Sequence, residues 1–282
     1  MMKKLSILLL AILFAVGYTA CNQPEQKKAG SAPWDLAVIA WSFREFTFFE
    51  TVDKAKEAGI HFLGAFPGQP IGGGIEGKME AGMSEEKRKL VLDYLAKQDV
   101  KLIDFGVYTP DSPEGWRELF AFAKAMDLRN IVSEPHPDDL ELVSRLCEEY
   151  QIQVAIHNHP SPSHYAHPDT LLAALENSSK YIGACADVGH WTRSGMDPIE
   201  CLKKLEGRIF EVHFKDITTP ATGGVDTIWG TGICNIDGML KELHQQKFTG
   251  ILAVEYETNP RNNLTEIGQS LGYYNQVMEK IK

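Results

Sequence analysis

The chain has 282 residues, room for one large domain or two small ones, and its 44% hydrophobic and 23% charged content allows a sizeable buried core. Its formal net charge is −10. An acidic chain of this kind excludes non-specific binding to nucleic acid, which requires a basic face.

The first residues are organised as a targeting segment. Met1-Met2-Lys3-Lys4 is positive, Leu5 to Val16 is apolar, and Gly17-Tyr18-Thr19-Ala20 leads directly to Cys21. The apolar run is too short to span a bilayer comfortably. This arrangement resembles a bacterial lipoprotein signal over residues 1–21, with Tyr18 departing from the usual aliphatic residue three places before the cysteine. The resemblance implies export, and attachment to a bacterial membrane, on the periplasmic side or at the cell surface, only through a lipid at Cys21. Residues 22–33, NQPEQKKAGSAP, have the composition of a flexible tether. The remaining cysteines, Cys147, Cys185, Cys201 and Cys234, lie far apart without a CxxC pair. Export permits disulfides, and four cysteines allow three connectivities. Positions inside helical and strand patterns favour buried free thiols.

From Trp34 onward, apolar runs alternate with amphipathic stretches. Predicted strands cover Leu36 to Phe43, Ile60 to Phe66, Val100 to Val107, Asn130 to Glu134, Ile152 to His159, Tyr181 to Val188, Arg208 to Lys215 and Gly250 to Glu257. Predicted helices follow them, with starts marked by Ser84 and by Ser112-Pro113. A Gly-rich loop at 68–77 and a long loop after the seventh strand interrupt the rhythm. Eight strand-then-helix units, without a Gly-rich phosphate fingerprint after the first strand, predict an α/β protein with a (β/α)8 barrel over 34–282.

Alternation within strands says which residues face the axis. In the seventh strand Glu211, His213 and Lys215 alternate with Phe210, Val212 and Phe214; in the sixth Gly183, Cys185 and Asp187 alternate with Ile182, Ala184 and Ala186. The eighth sets Ala253, Glu255 and Glu257 against Leu252, Val254 and Tyr256, and the fifth brings His157 to the same level. A single strand-end Asp or His usually caps a helix or satisfies a polar neighbour. His157, Asp187, His213 and Glu255 on four successive strand ends instead predict a divalent metal site, for Mn, Co, Zn or Mg.

ACADVGHW, EVHFKD and AVEYE resemble the sixth-, seventh- and eighth-strand motifs of the sugar phosphate isomerase/epimerase family, the xylose isomerase-like barrels. The resemblance covers Trp34 to the end. It implies a metal held by Glu, Asp, His and Glu from strands five to eight, with Asp187, His213 and Glu255 matching the last three. Strand five departs: the family's Glu-Asn-His is here His157-Asn158-His159. Either His157 replaces the carboxylate ligand or Glu134, at the end of strand four, supplies one.

A cation that holds a carbonyl and an adjacent hydroxyl eases removal of the proton between them by stabilising the enediolate. His159, Glu134, His190 and Glu257 are candidate bases, with Glu255 also counted in the catalytic set, and Lys215 can neutralise developing charge. By resemblance to the family's dehydratases His159 is favoured as base. His190, also counted with the substrate-binding residues, matches the Asp-x-x-His of the family's endonucleases, where the resemblance implies binding of a further metal, and is equally open to a role as a partner of the ligands. Trp41, Trp191 and Trp229 are expected to form a floor for the apolar face of a sugar, with Arg44 and Lys78 placed for a phosphate. Because an exported enzyme seldom meets sugar phosphates, the expected substrate is an unphosphorylated carbohydrate. The function implied is a metal-dependent isomerase or epimerase; a keto-sugar lyase or hydratase shares its first step, and a non-catalytic sugar-binding lipoprotein is the third reading. A homo-oligomer is compatible with the resemblance.

Overall fold

The computed structural model describes residues 32–220 and 223–281. The expected signal segment, Cys21 and most of the predicted tether lie outside the described residues. No described helix is long and apolar enough to cross a membrane.

Apolar runs become strands where alternate residues can be covered on both sides, and capped amphipathic runs become the helices between them. In chain order the elements are β1 (Asp35–Ile39), α1 (Phe48–Glu57), β2 (Phe62–Ala65), β3 (Pro70–Gly72), β4 (Ile75–Lys78), α2 (Glu85–Gln98), β5 (Lys101–Phe105), α3 (Pro113–Ala125), β6 (Asn130–Ser133) and α4 (Leu140–Tyr150). Then come β7 (Gln153–His157), α5 (Pro168–Leu175), β8 (Ile182–Asp187), α6 (Val188–Arg193), α7 (Pro198–Lys204), β9 (Ile209–Phe214), β10 (Asp216–Ile217), β11 (Asp226–Thr227), α8 (Ile236–Gln245), β12 (Ile251–Val254) and α9 (Leu264–Ile281). Eight of the strands close a barrel in the order β1-β12-β9-β8-β7-β6-β5-β2, every neighbouring pair parallel. The (β/α)8 barrel expected from the sequence is the observed architecture.

Local chemistry sets the helix starts. Thr47 and Glu50 form a reciprocal capping box on α1, Ser84 Oγ accepts from Lys87 N at 3.3 Å, and Ser112 caps α3 ahead of Pro113. The barrel strands are shorter than the apolar runs that announced them. After Ile39 the chain turns into a 3-10 segment, Ala40–Phe43, which carries Trp41 over the mouth. The Gly-rich loop holds the β3–β4 hairpin, and the loop after the seventh barrel strand is braced by β10 pairing with β11.

The period of two sorts the barrel wall. Val154, Ile156, Val212, Phe214, Leu252 and Val254 belong to the large core between sheet and helices. Ala37, Ile39, Ile103, Ile251 and Ala253 cluster separately, as do Val132, Ala155 and Cys185, filling the axis with small side chains. Ionisable groups gather above this plug, at the mouth.

Cys147, Cys185, Cys201 and Cys234 are all free and buried. Burial pushes the Cys147 and Cys201 thiols up to about 12 and that of Cys234 up to about 11. Thiolate is the reactive form, so these four are inert while the fold persists. Iodoacetamide followed by intact mass should add no label to them in native protein at about pH 8 and label all four after denaturation.

Candidate metal centre

Parallel strands in register bring their last residues to one level. Asp187 and His213 are paired across β8 and β9, and Glu255 follows directly on β12, its N–H donating to Phe214 O at 3.2 Å. His157 ends β7 opposite Cys185. Asp187 serves two purposes. Its Oδ1 caps α6, accepting from His190 N at 2.7 Å, which leaves Oδ2 facing the axis. Asn158 clamps the same residue through both backbone groups, its Oδ1 accepting from Asp187 N at 2.8 Å and its Nδ2 donating to Asp187 O at 3.0 Å.

Three atoms meet at this level without a hydrogen-bond partner: Asp187 Oδ2, Glu255 Oε2 and a ring nitrogen of His213. His213 Nδ1 lies 3.1 Å from Glu255 Oε2, and one ligand atom from each of the three residues falls within 4.8 Å of the others. Unpartnered polar atoms of this kind, two carboxylate oxygens and an imidazole nitrogen, are the donor set a divalent cation requires. His157 abuts them, with Nε2 at 3.6 Å from Asp187 Oδ2.

Glu134 stands apart from that triad. One oxygen contacts His159 Nδ1 and lies 3.6 Å from His157 Nδ1, while the other accepts from Ser163 Oγ at 2.6 Å. Burial pushes its carboxyl up, but the close imidazole of His157 and the hydrogen bonds with His159 and Ser163 prevail and hold it well below the usual range. The Glu134 contact in turn raises His159. Glu134 thus orients two imidazoles, and His159 keeps its other nitrogen free toward the pocket.

The pocket over the triad has a volume of about 370 Å³. Trp41, Phe66 and Val107 form an apolar wall facing His157, His159, His190, His213, Glu255 and Glu257. Glu257 accepts from Lys215 Nζ at 3.0 Å and Trp41 Nε1 at 3.1 Å, and its backbone carbonyl accepts from Arg44 Nη2 at 2.9 Å. Arg44 lines a wider outer lobe that shares His190 and Glu257 with the inner one. Burial lowers His190 to about 4, so its ring is neutral at pH 7. Lys78 sits exposed on β4, away from both lobes.

Residues 52–277 match the family described as xylose isomerase-like TIM barrel. The chain belongs to that family. Inosose dehydratase of Clostridium beijerinckii is 27% identical over 140 residues, 44% of this chain and 46% of that protein. The match therefore takes in less than half of that relative's length. An uncharacterized protein from Parabacteroides distasonis is 32% identical, with a TM-score of 0.72 over 87% of this chain and 99% of its own. A xylose isomerase-like TIM barrel protein from Mycobacterium smegmatis, solved in complex with magnesium, is 12% identical with a TM-score of 0.70, covering 89% and 99%.

Two expected site residues are elsewhere. Trp191 and Trp229 are buried, not exposed at the mouth. Trp229 packs edge-on against Phe214, centroids 4.9 Å apart, on the outward side of β9, and against Tyr274 of α9. Of the three tryptophans expected to receive a sugar, Trp41 alone lines the pocket. Conversely, the alternation pattern placed Glu211 on the axis without giving it a role. It lies beneath His213, with Oε1 at 3.3 Å from His213 Nε2 and Oε2 accepting from Asn130 Nδ2 at 3.0 Å. Asp104 shares this buried layer, in space left by Gly64, where a Cβ would stand 2.4 Å from the carboxylate. The hint in the sequence was a polar residue inside an apolar strand run, KLIDF.

Trp229→Ala should lower stability by about 3–5 kcal/mol, the loss expected for a core aromatic, read by urea denaturation. Trp41→Ala should spare stability and impair substrate binding. Burial, and then the charge of Glu211, raise the Asp104 carboxyl well above its ordinary value. Its folded-state pKa exceeds the unfolded one, so its contribution is full below about pH 4 and is lost as pH rises. Asp104→Asn should therefore gain stability over the parent from about pH 4 toward pH 8, and a gap that shrinks with pH would contradict this.

Proposed function

We propose that this protein is a divalent-metal-dependent carbohydrate isomerase or epimerase, acting by proton transfer next to a carbonyl. The observation that carries the reading is the convergence of Asp187, His213 and Glu255 on one another through atoms that have no hydrogen-bond partner. These three residues would hold Mn, Co, Zn or Mg, with His157 beside them; the Mycobacterium smegmatis barrel of the same fold is in complex with magnesium. A bound cation supplies Lewis acidity toward a carbonyl and its neighbouring hydroxyl.

The chain's own residues do the rest. His159, with Nδ1 held by Glu134, takes the proton at its free nitrogen and returns it. Lys215 offsets negative charge on the substrate oxygen. Trp41 and Phe66, edge-to-face at 5.0 Å, receive the apolar face of the ring. The substrate is an unphosphorylated sugar, met outside the cytoplasm by an enzyme tethered through Cys21. A second reading, a lyase or hydratase that expels a leaving group after the same deprotonation, is favoured by the likeness to inosose dehydratase.

Metal-loaded protein incubated in heavy water with keto-sugars and 3-keto-glycosides tests both. Deuterium at the carbon beside the carbonyl with no group released supports the isomerase; a released aglycone or a dehydrated product supports the lyase; the absence of both sinks the enzymatic reading and leaves a sugar-binding protein. Chelation should stop the exchange, and Glu255→Ala or His213→Ala should abolish both exchange and metal binding. His159→Gln should cost roughly 100-fold in rate or more while the metal stays bound.

A further inference from the structure

Lys215 is a cation already built into the candidate metal centre. Its side chain is 1% exposed, and Nζ lies 2.9 Å from Asp187 Oδ2 and 2.8 Å from Glu255 Oε2. Those are the two oxygens that converge with His213. The lysine's hydrogen bond goes instead to Glu257 Oε1, at 3.0 Å. Its contacts with Asp187 and Glu255 are close but poorly directed, and both oxygens remain without a hydrogen-bond partner.

The ammonium does not reach this place by chance packing. A Cβ on Gly189 would stand 2.4 Å from both Cγ and Cδ of Lys215, so the glycine after Asp187-Val188 opens the channel through which the stem passes. The stem then emerges among three carboxylates, those of Asp187, Glu255 and Glu257.

We propose that Lys215 is a resident rival of the divalent cation: it neutralises Asp187 and Glu255 in the metal-free protein and weakens metal binding to the same two oxygens. The proposal rests on reading Asp187, His213 and Glu255 as metal ligands. In metal-free protein the ammonium keeps two buried carboxylates from facing each other uncompensated. Once a divalent cation shares those oxygens, two positive charges lie close together where little water screens them. The ligand set is thereby preassembled at the expense of affinity, and the metal is exchangeable.

Lys215→Met keeps the apolar stem and removes the charge. Gly189→Ala keeps the charge and crowds the stem. Each is stripped with a chelator, and the affinity for Mn and for Zn is read by chelator competition alongside metal-free thermal melting. Lys215→Met should bind metal about tenfold tighter or more, while melting at a lower temperature without metal. Gly189→Ala should shift affinity the same way by a smaller factor. Ordinary structural damage weakens binding, so a gain separates rivalry from disruption. Unchanged or weaker binding by Lys215→Met overturns the inference and leaves the proposed function standing. No binding by either protein overturns both. Binding by Lys215→Met alone supports the rivalry and removes the metal from the function of the parent. Should Lys215→Met fold only when loaded, competition starts from the loaded protein and Gly189→Ala supplies the metal-free comparison.

Discussion

Asp187 and Glu255 turn their carboxylates into one poorly solvated space beside that of the partly exposed Glu257, and the chain has to supply positive charge to hold them there. Burying even one unpaired carboxylate is expensive enough to shift its protonation or unfold its surroundings. Lys215 meets the demand with contacts to all three. Burial lowers the ammonium, but the charges of Asp187, Glu255 and Glu257 outweigh it and hold the group well above its ordinary value. The barrel makes the crowding unavoidable. Parallel strands in register must end together, and every second residue must face the axis, so β8, β9 and β12 cannot avoid pointing their last inward residues at one another.

That constraint also explains which parts of the site were legible in the sequence. In ACAD, EVHF and ILAV, period-two alternation separates the residues facing the helices from those facing the axis. Closure of the barrel then turns four separate strand ends into one ring. Asp187, His213 and Glu255 could be found from alternation plus strand count. Trp191 and Trp229 could not, because they lie beyond the strands, where period no longer assigns a side. Their large apolar area is better satisfied between barrel wall and helices than under a sugar, and Phe214 and Tyr274 provide that cover for Trp229. Glu211, Asn130 and Asp104 escaped for the opposite reason. Each sits in a strand where its facing was readable, but the layer they form depends on the register between β5, β6 and β9, which no single strand encodes. Asn158 is a similar case: its amide spans to the backbone of Asp187, 29 residues away in the chain.

The sequence also left open what completes the ligand set, and the geometry bears on it. Glu134 and His157 are neighbours, but Glu134 faces His157 Nδ1 and His159, whereas His157 Nε2 faces Asp187. A carboxylate on the far nitrogen of an imidazole fixes the ring's orientation. Glu134 and Glu211 stand in that relation to His157 and His213 respectively, each beside the nitrogen turned away from the carboxylate the other nitrogen meets.

Replacing the family's strand-five carboxylate by His157 has an electrostatic consequence that compounds with Lys215. An imidazole in place of a carboxylate supplies no negative charge to offset a divalent ion, and the adjacent ammonium subtracts from what Asp187 and Glu255 provide. The proposed ligand set, counted with His157, is therefore poorer in negative charge and richer in nitrogen than a carboxylate-dominated one. Hard, strongly hydrated Mg gains most from charge and oxygen, while Mn, Co and Zn gain relatively more from imidazole. On the proposed reading, the imidazole of His157 and the ammonium of Lys215 thus act in one direction, and the site would favour a softer cation held less tightly by charge and more by the orientation of its imidazoles.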